Sequence, residues 1–127
     1  MKIAALIAQI LLGLLFLVFG LNGFLRFMPM GPMPTGLAGQ YSAAMLESHY
    51  FLIVAGLQVL GGLLLLVNRY VTLGLTILGP VIVNILLYHL LMQRQGLPMA
   101  VVVAILWVIA ALRYKKNFAG LFAPRPE

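Results

Sequence analysis

Between Ile3 and Leu112 the chain runs through long apolar stretches broken only by short polar or proline-rich turns. About 20 apolar residues in a helix cross the hydrocarbon of a bilayer. In lipid, a helix also satisfies every backbone polar group within its own segment. The pattern therefore predicts an all-α protein, a transmembrane four-helix up-down bundle in a single domain over residues 1–127. The spans are expected at about 3–27, 49–67, 71–93 and 99–112. Composition agrees, with 64% hydrophobic and 8% charged residues, where soluble domains run nearer a quarter charged.

The formal charge of +6 does not point to nucleic acid. The basic residues are scattered along apolar helices and form no stacked basic and aromatic face. They sort by topology instead. Lys2, Arg69, Arg113, Lys115, Lys116 and Arg125 fall on one side of a four-span chain, and Arg26 and Arg94 on the other. Cytoplasmic loops carry the excess of cations, so both termini are expected in the cytoplasm. The chain has no cysteine, which excludes thiol redox chemistry, disulfides, iron–sulfur clusters and Cys-ligated zinc. With two histidines in all, a bis-histidine haem requires His49 and His89 to meet.

The first apolar run, Ile3–Phe27, follows Lys2 as a signal peptide would. It is longer than a usual signal core and no small-residue cleavage site follows it, so it reads as a retained span. Gly13, Gly20 and Gly23 permit close helix approach there, and Phe19, Asn22 and Arg26 share a face. The loop MPMGPMPTGLAGQ, residues 28–40, carries too much proline and glycine for regular structure. Thr35 is placed to cap a short interfacial segment over 36–48, with Leu37, Tyr41 and Met45 on one face. Residues 94–98 read as a turn. Beyond Leu112 a basic tail begins, with Phe118, Leu121 and Phe122 placed to lie on the membrane surface. The APRPE end reads as disordered.

Depth organises the polar residues inside the apolar runs. Gln58 lies nine positions along from His49, and Asn84 ten positions before Arg94. At about 1.5 Å per residue, both sit near the midplane, where a Gln58–Asn84 hydrogen bond would satisfy two amides. A second level gathers Asn22, Arg26, Glu47, His49, His89 and Gln93 nearer the outer surface, with an Arg26–Glu47 ion pair in reach. Ionisable groups at membrane depth are functional candidates by default. These six with Asn84 form the candidate ligand pocket. His89 is placed to hydrogen-bond a quinone oxygen or shuttle a proton. Pro80 should bend the third span and free a carbonyl near Thr76, which the Thr76 hydroxyl is placed to serve. Trp107 is central enough to pack inside. Met28, Met30 and Met33 form a thioether set of the kind that suits Cu(I), although the prolines and glycines explain that loop without metal.

The stretches FLVFGLNGFLRF and LQVLGGLLLLVNRYVTLGLTILGPVIVNILLYHLLM, with the proline-rich loop between them, resemble the DoxX-like membrane proteins. The resemblance covers nearly the whole chain. It implies a four-helix integral membrane protein, with some members associated with quinone-linked or thiol-linked redox complexes. Many members place an acidic residue where Gln58 stands. This chain carries a neutral amide there, which separates it from proton-coupled chemistry at that position.

Three function classes follow. The first is an accessory, partner-dependent membrane subunit with no redox centre of its own, supported by a redox partner protein or by homo-oligomerisation. The second is a quinone-interacting oxidoreductase subunit. The third is a small-molecule transporter, disfavoured because no carboxylate lies within a span: Glu47 and Glu127 fall outside them. No residue is assigned a catalytic role.

Overall fold

The computed structural model describes residues 2–26, 34–122 and 124. Every regular element among them is helical. Four segments are long and apolar enough to cross a membrane: Lys2–Leu25, Tyr50–Val67, Val71–Leu91 and Arg94–Leu112. In chain order, α1 is Lys2–Leu25, α2 Gly36–Glu47, α3 Tyr50–Val67 and α4 Val71–Leu91. A single 3-10 turn, Arg94–Gly96, runs straight into α5, Leu97–Leu112. A short α6, Lys115–Phe118, and a 3-10 turn over Ala119–Phe122 follow.

The fourth membrane-capable segment thus starts earlier than the expected Met99. Pro98 sits in the first turn of α5, where a missing N–H removes no helical hydrogen bond. The third span ends at Leu91 rather than Gln93, because Gln93 turns to an extended backbone.

Each long helix packs against two others: α1 and α4 each lie against α3 and α5. The buried positions of α1 repeat at three- and four-residue spacing, from Ala5, Ala8 and Gln9 through Leu12, Gly13 and Phe16 to Gly20 and Gly23, which is one helical stripe. Leu12, Leu65, Leu75 and Leu78 form the fully buried centre. Residues on the opposite faces, such as Ile7, Leu60, Val83 and Ile105, stay exposed. A soluble monomer does not expose apolar surface on this scale.

Glycine sets the α1–α3 distance. A Cβ at Gly20 would lie 2.8 Å from the Ala55 carbonyl oxygen, and one at Gly62 would lie 2.7 Å from the Gly13 oxygen. The obstacles are backbone atoms, which cannot rotate aside, so these glycines hold the helices in close contact.

Polar tethers fix the two sides of the bundle. Gln9 is 1% exposed. Its Nε2 donates to the Leu65 carbonyl at 2.9 Å and to Asn68 Oδ1 at 3.0 Å, and its Oε1 accepts from the Tyr114 hydroxyl at 2.7 Å. One side chain therefore ties α1 to the α3–α4 turn and to the start of the tail. On α4, the helix continues through Pro80. The Thr76 hydroxyl donates to the Thr72 carbonyl at 2.8 Å, not toward the carbonyl that Pro80 leaves unserved, because a threonine in a helix reaches back one turn. The Trp107 indole instead donates to the neighbouring Leu75 carbonyl at 2.9 Å, so its inward packing carries a specific bond. Phe118 folds back onto Trp107, with ring centroids 6.1 Å apart, and is half-buried against the core. It does not lie out on the surface.

Candidate functional site

Helix α2 begins at Gly36, which takes a left-handed φ of 68°. Thr35 stands at the N-cap position but its hydroxyl makes no capping bond. At the other end the Ser48 hydroxyl donates to the Ala44 carbonyl at 2.6 Å. His49 then turns the chain into α3 through a left-handed φ of 62°. This tight join leaves α2 against α3, with Tyr41 reaching α4.

Beneath α2 lies a cavity of about 500 Å³. Tyr41, Ser42 and Met45 line it from α2, Phe51, Val54 and Gln58 from α3, and Asn84, Ile85, Tyr88 and His89 from α4. Gln93 closes one end. Each set recurs at steps of three or four, as in 42/45, 51/54/58, 84/88 and 85/89, so each helix offers one face. The volume suits a small organic ligand. Among the described residues no Lys, Arg, Asp or Glu lines the cavity, so the chemistry they offer is hydrogen bonding and ring contact.

The polar groups are already oriented. Asn84 Nδ2 donates to the Tyr41 hydroxyl oxygen at 2.9 Å, which leaves the Tyr41 proton free to point at a ligand. The Tyr88 hydroxyl donates to Gln93 Oε1 at 2.9 Å, and the Ser42 hydroxyl stands 3.5 Å from it. The Tyr41 and Tyr88 rings lie 5.3 Å apart and are tilted by 38°, a spacing typical of attractive aromatic pairs. His89 Nδ1 lies 2.9 Å from the Ile85 carbonyl. A carbonyl only accepts, so Nδ1 carries the proton, and in the neutral ring Nε2 is an acceptor. The imidazole meets the Tyr88 ring edge-on at 5.1 Å and rests on Gly96, where any side chain would collide with it.

The cavity gathers Gln58, Asn84, His89 and Gln93 from the sequence candidates. It does not gather Asn22, Arg26, Glu47 or His49. Asn22 is buried on α1, while Arg26, Glu47 and His49 are exposed. Arg26 and Glu47 form no ion pair among the described residues. The reason is azimuth: α1 packs on α3 and α5, whereas α2 sits on α3 and reaches α4, so equal depth does not bring these groups together. The anticipated Gln58–Asn84 bond is replaced by the Asn84–Tyr41 bond. Gln58 borders the same cavity with its amide free of side-chain partners among the described residues. Tyr41, Ser42 and Tyr88 carry site roles that sequence reasoning missed. The available signal was the four-residue step from Asn84 to Tyr88, which puts both on one face.

A second recess of about 560 Å³ shares Tyr41, Met45, Val54 and Asn84 with the first and extends past Pro80. The Tyr41–Asn84 bond therefore stands in the wall common to both. Met28, Met30 and Met33 lie outside the described residues. Among the described residues no three His, Asp or Glu side chains gather as a metal site. His49, exposed at the start of α3, does not share the cavity with His89. No family model, curated protein or solved structure matches the chain.

Proposed function

We propose that the chain is a small multi-pass membrane protein of DoxX-like type, built as an up-down four-helix bundle with α2 lying at the outer membrane interface. It acts as an accessory subunit of a bacterial-type inner membrane, with both termini cytoplasmic and no redox centre of its own. Its cavity beneath α2 holds an uncharged, lipid-soluble molecule with a hydrogen-bonding head group. A quinone is the first class to test, and any electrons would come from a partner protein.

The observation that carries this reading is the uncharged lining of the cavity together with the oriented Tyr41 hydroxyl. A hydroxyl that accepts from Asn84 presents its proton to an acceptor such as a carbonyl oxygen. Tyr41 and Tyr88 offer ring surface beside it, and Met45, Leu46, Phe51 and Val54 offer apolar contact. An anionic head group would find no cation among the described lining residues.

The test is extraction of the protein purified in mild detergent, followed by separation and absorbance of any quinone. Wild type should carry quinone in amounts comparable with the protein. Asn84→Leu should carry severalfold less, since one hydrogen bond is worth about 1 kcal/mol. Equal content in the two proteins would contradict the reading.

A further inference from the structure

At the opposite end of the bundle from α2, we infer that a recess beside Arg113 binds the phosphate-bearing head group of an anionic phospholipid. The recess, about 510 Å³, is lined by Asn68, Tyr70, Thr72, Arg113 and Asn117 among others. The Gln9 tether builds one wall, since it holds Asn68 and Tyr114 together across three segments of chain. Among the described residues Arg113 is the only charged one of the lining. Its guanidinium carbon lies 5.5 Å from the centroid of the Tyr114 ring, which orients a planar fork of donors that matches a phosphate.

The surrounding charge is one-sided. Lys2, Arg69, Arg113, Lys115 and Lys116 all fall at this end, where α1 begins, α3 passes to α4 and α5 ends. The one acidic side chain among the described residues, Glu47, ends α2 at the far side of the bundle. Among the described residues no acidic side chain neutralises this end. Tyr70 gives α4 no side-chain cap, so first-turn N–H groups of that helix add donors along the same recess. The contact between Phe118 and Trp107 holds the Lys115–Lys116 pair close by.

The flanking surface separates a lipid from a soluble phosphate. Leu73, in the lining, is 52% exposed, and Leu112, next to Arg113, is 46% exposed. Acyl chains would cover such residues, whereas a free phosphate would use none of them. Basic pockets at the cytoplasmic side of membrane helices favour anionic head groups by about 1 kcal/mol per cation.

The experiment is native mass spectrometry of the delipidated full-length protein, titrated with phosphatidylglycerol or phosphatidylcholine. Wild type should retain phosphatidylglycerol in clear preference. Arg113→Gln should lower that retention about fivefold, Arg113→Lys should retain most of it, and Arg94→Gln, at the far end of the bundle, should leave it unchanged. Circular dichroism of each variant checks the fold. Equal retention by wild type and Arg113→Gln, or an equal loss in Arg94→Gln, would overturn a localised site. Displacement of the lipid by inorganic phosphate at matched concentration would overturn the lipid assignment. Phosphatidylcholine retained as well as phosphatidylglycerol would do the same.

Discussion

The side-chain amide of Asn84 donates to the phenol oxygen of Tyr41 at 2.9 Å, across 43 positions of the chain. The bond ties the short helix to α4 and stands in the wall between two recesses. It also decides which way the Tyr41 proton points.

Tyr41→Phe removes the acceptor and leaves the ring. Losing one such bond should free α2 by about 1 kcal/mol. Amide hydrogen exchange should then speed up severalfold across residues 36–47 and stay unchanged in the α1–α3 contact. Unchanged exchange over α2 would show that the helix is held by its apolar contacts alone.

Gln9→Leu should be the most damaging single polar substitution at the other end. It removes two donated bonds and one accepted bond and strands the Tyr114 hydroxyl. Bonds of this kind in membrane proteins average about 0.6 kcal/mol and reach about 2. Thermal unfolding in detergent should show a larger loss for Gln9→Leu than for Tyr114→Phe, which removes only one of the three. The reverse order would mean that Gln9 is tolerated there rather than structural.

Gly20→Ala tests the close approach of α1 and α3. The added methyl meets the Ala55 carbonyl and the Val59 backbone nitrogen, so the helices must part. Overpacking of this type costs about 1–3 kcal/mol. A substitution at Gly120, where a Cβ meets nothing within 4 Å, should be silent in the same unfolding assay.

Trp107→Phe keeps most of the ring volume and deletes the donor to the Leu75 carbonyl. The Leu75 carbonyl lies one position before the Thr76 carbonyl that Pro80 leaves unserved, so the indole bond is an added tie between α5 and α4. A loss of about 1 kcal/mol is expected, read as a lower midpoint of denaturant unfolding. No change would indicate that the indole contributes by packing alone.

The helices were legible because their cause is local. Apolar length, the polar turn at Asn68–Tyr70 and the proline-rich loop are properties of consecutive residues, and they mark the long helices to within a few positions. Gln58 and Asn84 border one cavity without bonding to each other. What depth counting does not carry is rotation about the helix axis. Arg26 follows α1, which packs on α3 and α5 away from the cavity, and Glu47 and His49, at the α2–α3 join, are exposed. Tyr41 enters the site only through the sharp turn at His49, a left-handed residue with no sequence signature of its own. Gln9 was hidden for a related reason. A lone amide in an apolar run gives no hint of its partners until three distant segments converge on it.

The most direct measurement of the central claim is saturation binding of a short-chain quinone analogue to the detergent-purified protein, comparing wild type with Asn84→Leu at matched fold stability. Binding by wild type that saturates at about one molecule per chain, and that weakens by up to about tenfold in Asn84→Leu, is the predicted result. Non-saturating uptake that is the same in both proteins would contradict the claim, because it would reflect partition into detergent rather than a site beneath α2.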